Sequence, residues 1–242
     1  MPFFEGIRPR VFAHRGLHTN HPENSRGAFR AAVDAGVSYI ETDVVSSSDG
    51  IAMVTHDLVL DRVAGIRAAV GDFTAAQLAD VDLGGEGFIT LRQALADFPT
   101  TRFNVDVKDE RAIFDVAAAI RDVSATERVL VSSFATARRR AALANLPGVA
   151  SSASSTEFLR LFAAVRAGLT PPLPQIQALQ IPASAYGIPT VTRTLVDRYH
   201  RLGLEVHVWT INDEAEMRRL LLLGVDGIVT DRADVALRVV GS

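Results

Sequence analysis

The sequence predicts an α/β chain folded as a (β/α)8 barrel with a small insertion after its second strand. Eight apolar runs of strand length recur along 242 residues, most are followed by a segment of helical periodicity, and turn residues separate them. This count and length suit a closed parallel barrel better than an open doubly wound sheet, which has about six strands and a glycine-rich first turn. With 48% hydrophobic and 22% charged residues, the chain can fill the core of a single domain over 1–242.

The strand-like runs fall at 10–14, 39–45, 102–108, 128–134, 148–153, 177–181, 205–211 and 226–230. Helical periodicity occupies 25–35, 91–98, 111–123, 136–143, 156–165, 192–202, 213–223 and 233–239. Asn24, Thr90 and Asn212 stand where the N-caps of the first, second and seventh helices are expected, and Gly203 and Gly224 read as C-terminal stops. The alternation breaks once. After Asp43 a polar turn, Ser46 to Gly50, leads into a short strand at 51–55 and an insertion at about 58–87. It lies on the second βα connection, among the loops that build the active site of such a barrel, and is expected to act as a lid or substrate wall.

Composition removes several classes of function. The absence of Cys excludes disulfides, thiolate metal sites and cysteine nucleophiles. A net charge of -3 gives no electrostatic footprint for nucleic acid or an anionic membrane. No apolar run reaches the roughly 18 residues of a membrane span, and no leader pattern precedes Arg10, so a soluble cytoplasmic protein is expected. No feature specifies an oligomeric state. The Arg138 to Arg140 run reads as a solvated face and Leu220 to Leu223 as core contact.

Candidate chemistry gathers near the N-terminus. Ala13-His14-Arg15-Gly16 and Thr55-His56-Asp57 each end an apolar run, and between them Tyr39-Ile40-Glu41-Thr42-Asp43 carries two acids. The two-residue period of a strand turns Glu41 and Asp43 to one face, and does the same for Asn104, Asp106 and Lys108. Carboxylates aimed into a barrel cost several kcal/mol each unless paired, and a hard cation such as Mg2+ or Ca2+ is the common remedy. The acids Glu41, Asp43 and Asp106 are therefore candidate metal ligands. The chain carries 24 Arg and one Lys, so an interior Lys108 suggests that a compact ammonium is required there. Arg15 offers a fork to phosphate oxygens, and His14 and His56 can serve as general base and general acid.

These pieces together resemble the glycerophosphodiester phosphodiesterase family. The resemblance rests on His14-Arg15-Gly16, Pro22-Glu23-Asn24-Ser25, Glu41-Thr42-Asp43 and Thr55-His56-Asp57. It continues through Leu60-Asp61-Arg62, Ile89-Thr90-Leu91, Asp106-Val107-Lys108, Ser132-Ser133-Phe134, Val208-Trp209-Thr210-Ile211-Asn212 and Gly224 to Asp231. It implies a TIM barrel that hydrolyses glycerophosphodiesters to an alcohol and sn-glycerol 3-phosphate with a divalent cation. In that frame His14 and His56 form the acid-base pair, and Glu41 and Asp43 match metal ligands. Arg15 and Lys108 match groups near the phosphate, and Trp209 matches an aromatic lining the pocket. The family usually has Glu where this chain has Asp106, shortening a third ligand by about 1.5 Å. Asp231, Gln180 and Ser133 lie near strand ends as secondary candidates.

Two other readings compete. A related barrel phosphodiesterase acting on lysophospholipids would need an apolar entrance, for which Val59, Leu60, Val63, Ile66 and Phe73 of the insertion are available. A non-catalytic phosphodiester-binding module would not need the intact histidines, acids and lysine.

Overall fold

The computed structural model of the protein describes residues 3–185 and 187–241. Its strands are β1 (Arg10–His14), β2 (Tyr39–Ser46), β3 (Ala52–Val54), β4 (Arg102–Val107), β5 (Val129–Ser132), β6 (Ala150–Ser151), β7 (Ala178–Pro182), β8 (Ser184–Ala185), β9 (Ile188–Pro189), β10 (Glu205–Trp209) and β11 (Gly227–Thr230). Eight of them run parallel in the order β6-β5-β4-β2-β1-β11-β10-β7. A single bridge between Ser152 and Ala178 joins the two ends of this series. The Ala153 amide donates to the Ala178 carbonyl at 3.0 Å and the Gln177 amide to that of Ser151 at 3.0 Å, closing a (β/α)8 barrel.

The seam explains a departure from the sequence reading. Strand β6 has only two residues, and the helix Thr136–Ala144 is tied to it by a buried arginine. Arg139, 1% exposed, donates to Ser151 Oγ (2.9 Å), the Ser152 carbonyl (2.6 Å) and the Gln175 carbonyl, and pairs with Glu157 (3.2 Å). The Arg138 to Arg140 run is thus no solvated face: its middle member staples the weakest part of the barrel. Leu222, 73% exposed, likewise departs from the core contact expected of its leucine run.

Strand parity divides the apolar residues into two cores. Ile40, Val44, Phe103, Val105, Val129, Val131, Val206 and Val208 join the helices in the main cluster. Phe12, Tyr39, Leu130, Ala178 and Val229 form a smaller cluster with Phe3. Full burial of one such side chain contributes about 1.5–3 kcal/mol, and β1, β2, β5, β7 and β11 bury apolar side chains on both faces.

The helices follow the predicted periods with two corrected caps. Thr90 caps Leu91–Asp97 as expected. The first helix, Arg26–Asp34, is capped by Ser25 and the helix Glu214–Leu222 by Asp213. Asn24 and Asn212, one residue earlier, turn toward the barrel mouth instead. Gly203 and Gly224 both adopt positive φ just past a helix end.

In the insertion, β3 pairs antiparallel with the end of β2. Val45, Met53, Leu60, Val70, Leu78 and Phe88 make a core of their own, against which Val63, Ile66 and Phe73 pack. Leu60, Val63, Ile66 and Phe73 are thus consumed in folding the insertion, while Val59, 50% exposed, stands outside that core and is not among the residues lining the cleft. Among the described residues no helix is long and apolar enough to cross a membrane.

Candidate active site

The cleft at the C-terminal ends of the strands has a volume of about 430 Å³ and is lined by His14, Arg15, Glu41, Asp43, His56, Asp106, Lys108 and Trp209 among others. All eight site residues named from the sequence therefore meet in one place. The register shows why. His14 stands opposite Glu41 between β1 and β2, and Asp43 stands opposite Asp106 between β2 and β4.

Just past β1 the backbone of Arg15 (φ 57°) and Gly16 (φ 85°) turns left-handed. A Cβ on Gly16 would lie 2.7 Å from the carbonyl carbon of Ala28, so only glycine lets the loop pass the first helix. The turn brings Arg15 Nε to 3.2 Å from Asp43 Oδ2, while its Nη1 donates to Glu23 Oε1 at 2.9 Å.

Each histidine is held by a carboxylate. His14 Nδ1 lies 2.6 Å from Asp231 Oδ1, and His56 Nδ1 lies 2.6 Å from Asp57 Oδ1. With Nδ1 engaged, Nε2 of each ring is the nitrogen available to a further partner. Asn212 donates to Asp231 Oδ2 at 2.7 Å, and His18 Nε2 approaches Oδ1 at 3.2 Å. Burial alone would raise the Asp231 carboxyl, but bonds from His14, His18 and Asn212 hold it well below the ordinary carboxylate range.

Lys108 bridges the acids, with Nζ 2.7 Å from Asp43 Oδ1 and 2.6 Å from Asp106 Oδ2. Burial pushes the Asp43 carboxyl up, yet Lys108 and Arg15 together outweigh it and hold the group low. Asp106 keeps a net rise, because its burial outweighs Lys108. Glu41 is raised furthest, first by burial and then by Asp43. Its Oε2 is buried without a hydrogen-bond partner, and the nearest ring nitrogen, His14 Nε2, is 3.8 Å away. Asn24, which the sequence suggested as a helix cap, accepts from Thr42 Oγ1 (2.7 Å) and donates to Asp43 Oδ2 (3.3 Å).

The opposite wall is uncharged. Trp209 meets Phe134 edge to face with centroids 5.9 Å apart, and Lys108 Nζ lies 5.5 Å from the Phe134 ring. Sequence reasoning passed over Asp57, Glu23 and Phe134 as functional parts and ranked Asp231 low. The available signal was an acid adjoining a candidate histidine or ending a strand.

The sequence model of the glycerophosphoryl diester phosphodiesterase family matches residues 14–235. The chain belongs to that family. It is 38% identical over 232 residues to a Mycobacterium tuberculosis protein named probable glycerophosphodiester phosphodiesterase 2, covering 93% of this chain and 88% of the relative. An Oleispira antarctica phosphodiesterase, solved in complex with the product sn-glycerol-3-phosphate, superposes with a TM-score of 0.79 at 25% identity, covering 97% and 98% of the two chains. The glycerophosphodiester phosphodiesterase of Agrobacterium tumefaciens superposes with a TM-score of 0.80 at 24% identity, covering 96% and 99%. The protein is accordingly a glycerophosphodiester phosphodiesterase.

Phosphodiesterases of this family generally depend on a divalent cation. Among the described residues no three acids or histidines converge on one point, and Lys108 Nζ stands between Asp43 and Asp106. The donor chemistry nonetheless fits: three buried acids face the two cations Lys108 and Arg15, and Glu41 presents an unpartnered oxygen.

Proposed function

We propose that this phosphodiesterase cleaves its substrate with His14 and His56 as the acid-base pair, and that Glu41, Asp43 and Asp106 hold a divalent cation, Mg2+ or Ca2+. The observation that carries the reading is the pair of carboxylate-held imidazoles, His14 on Asp231 and His56 on Asp57, facing one cleft with Arg15 and Lys108. One histidine takes the proton of the nucleophile, either water or the glycerol hydroxyl beside the phosphate, through Nε2. The other delivers a proton to the leaving alcohol oxygen. Water attack gives glycerol 3-phosphate directly and the histidines reset through solvent, whereas hydroxyl attack gives a cyclic phosphate that water then opens with the two histidines in reversed roles. Arg15 and Lys108 orient the phosphate and stabilise charge that builds on its oxygens, while Trp209 walls the pocket. The cation, when bound, polarises a phosphoryl oxygen. A cytoplasmic location belongs to the same reading.

The uncharged wall favours a second substrate within the same reaction. Phe134 and Leu159 line the cleft yet are 57% and 54% exposed, which offers apolar surface to the acyl chain of a lysophospholipid. A non-catalytic binding module has no comparable support, since every acid, base and cation of the site is in place.

The test is a chelator-stripped enzyme refilled with Mg2+, Ca2+ or Mn2+ and offered glycerophosphocholine, other glycerophosphodiesters and a lysophospholipid. Glycerol 3-phosphate should appear from the glycerophosphodiesters, and the acylated glycerol phosphate from the lysophospholipid, only with a cation, and His56→Ala should slow their release by about 10²–10⁴-fold. Equal rates from variant and parent would remove His56 from the chemistry.

A further inference from the structure

Two halves of the site are built on separate loops, and one guanidinium on the insertion touches the carboxylate behind each. Arg62 Nε donates to Asp57 Oδ2 at 2.5 Å, and Asp57 through its other oxygen holds His56. The fork of the same side chain grips Glu23, with Nη2 2.6 Å from Oε1 and Nη1 3.0 Å from Oε2. Glu23 Oε1 in turn accepts from Arg15. A continuous chain of charge thus runs His56, Asp57, Arg62, Glu23, Arg15, Asp43.

We propose that Arg62 is a positioning residue that sets His56 and Arg15 in register with each other, so that the insertion acts as a brace across the site. This rests on the assignment of His56 to proton transfer and of Arg15 to the phosphate. The base under Arg62 is firm. It follows Leu60, which is fully buried in the insertion core, within the short helix Asp61–Ala64. The far end of the insertion is anchored too, because Glu86 Oε2 accepts from the Gly27 amide at 2.8 Å at the start of the first helix.

The geometry separates this role from ordinary surface pairing. Arg62 is about half exposed, and exposed ion pairs contribute about 0–1 kcal/mol to stability, so folding does not require it. Its two acids, by contrast, each hold a group that meets substrate. Without Arg62, Asp57 loses the partner that fixes its plane against the imidazole. Glu23 keeps Arg15 as its remaining guanidinium partner and draws that charge away from the phosphate. One substitution should therefore disturb two kinetic parameters through two arms, kcat through His56 and KM through Arg15.

Steady-state kinetics of the cation-loaded enzyme test this. Arg62→Ala should lower kcat by about 10–100-fold, the usual cost of removing a partner behind a functional residue, and raise KM several-fold with an unchanged melting temperature. Asp57→Asn should reproduce mainly the kcat loss and Glu23→Gln mainly the KM rise, and neither should add fully to Arg62→Ala. Arg62→Lys should restore at most one parameter, because a single ammonium cannot supply both the fork and the third donor. Arg67→Ala, on the same insertion at a side chain 94% exposed, should leave both unchanged. The proposal is overturned if Arg62→Ala keeps both parameters within about twofold of the parent while His56→Ala is inactive. It is equally overturned if the loss vanishes once rates are normalised to folded protein. An active His56→Ala would instead overturn the assignment on which it rests.

Discussion

The two ends of the barrel each bury a cluster of charge, and they are finished in opposite ways. At the N-terminal end Arg10, 2% exposed, donates through Nε and Nη2 to Glu205 at 2.9 and 2.8 Å, through Nη1 to Tyr39 at 2.5 Å and through Nη2 to the Phe4 carbonyl at 2.6 Å. Asp226 is met by Arg8 at 2.8 Å, His200 at 2.7 Å and the Val206 amide at 2.8 Å. Burial pushes the Glu205 carboxyl up, but Arg10 and His207 outweigh it and bring the group down to about 2. At the other end, Glu41 Oε2 is buried and unpartnered and its carboxyl is raised. The cluster that serves the fold pairs both its carboxylates and leaves a ring nitrogen, His207 Nδ1, without a partner, whereas the one that serves chemistry leaves a carboxylate oxygen uncompensated beside an open cleft.

Removing the central cation of each cluster should break the comparison most sharply. Lys108→Met should lower kcat by about 10²–10³-fold if Lys108 serves the phosphate as proposed, while the melting temperature changes little in the presence of a divalent cation. Arg10→Met should do the reverse. Stripping a buried carboxylate of its partner costs about 3–5 kcal/mol, or roughly 10 °C in a domain of this size, with the kinetics of the folded enzyme preserved. Thermal melts and assays on the same two preparations decide it. An Arg10→Met enzyme that melts normally but turns over slowly would dissolve the distinction between the ends.

Much of this contrast was legible in the sequence, for a physical reason. Alternation along β2 and β4 puts Glu41, Asp43 and Asp106 on the interior face regardless of what surrounds them, and apolar periodicity locates all eight barrel strands. What escaped depends on partners far away in the chain. Asp231 and His14 are separated by 217 positions, and only closure of β11 onto β1 brings them together. Arg139 reads as one of three consecutive arginines until the two-residue β6 shows what needs tying. Asn24 and Ser25 are equally good caps by residue type, and the left-handed backbone of Asn24 (φ 56°) decides between them.

Asp106 offers a smaller and more local change. Its Oδ2 is engaged by Lys108 at 2.6 Å, and its Oδ1 lies 3.4 Å from Ser132 Oγ. Asp106→Glu adds about 1.5 Å of reach within the cleft that Glu41 also lines. Calorimetric titration of the chelator-stripped protein with Mg2+ or Ca2+ should show about tenfold tighter binding, equivalent to about 1.4 kcal/mol. Unaltered or weaker binding would mean that Asp106 serves Lys108 alone and that Glu41 and Asp43 are the ligands that matter.

The smallest expected effect has the most informative sign. Glu41→Gln preserves the shape of the side chain and removes a buried charge that lacks a partner, so in a chelator it should stabilise the protein by about 1 kcal/mol, or roughly 2–4 °C. Adding a divalent cation should reverse the order if Glu41 is a ligand as proposed, because the parent then gains more free energy of binding than the variant. The corresponding change at the other end, Glu205→Gln, should destabilise in both conditions, since it leaves buried Arg10 without its carboxylate. A Glu41→Gln protein that melts below the parent in chelator would show that Glu41 is satisfied without a cation. The two ends of the barrel would then be finished alike.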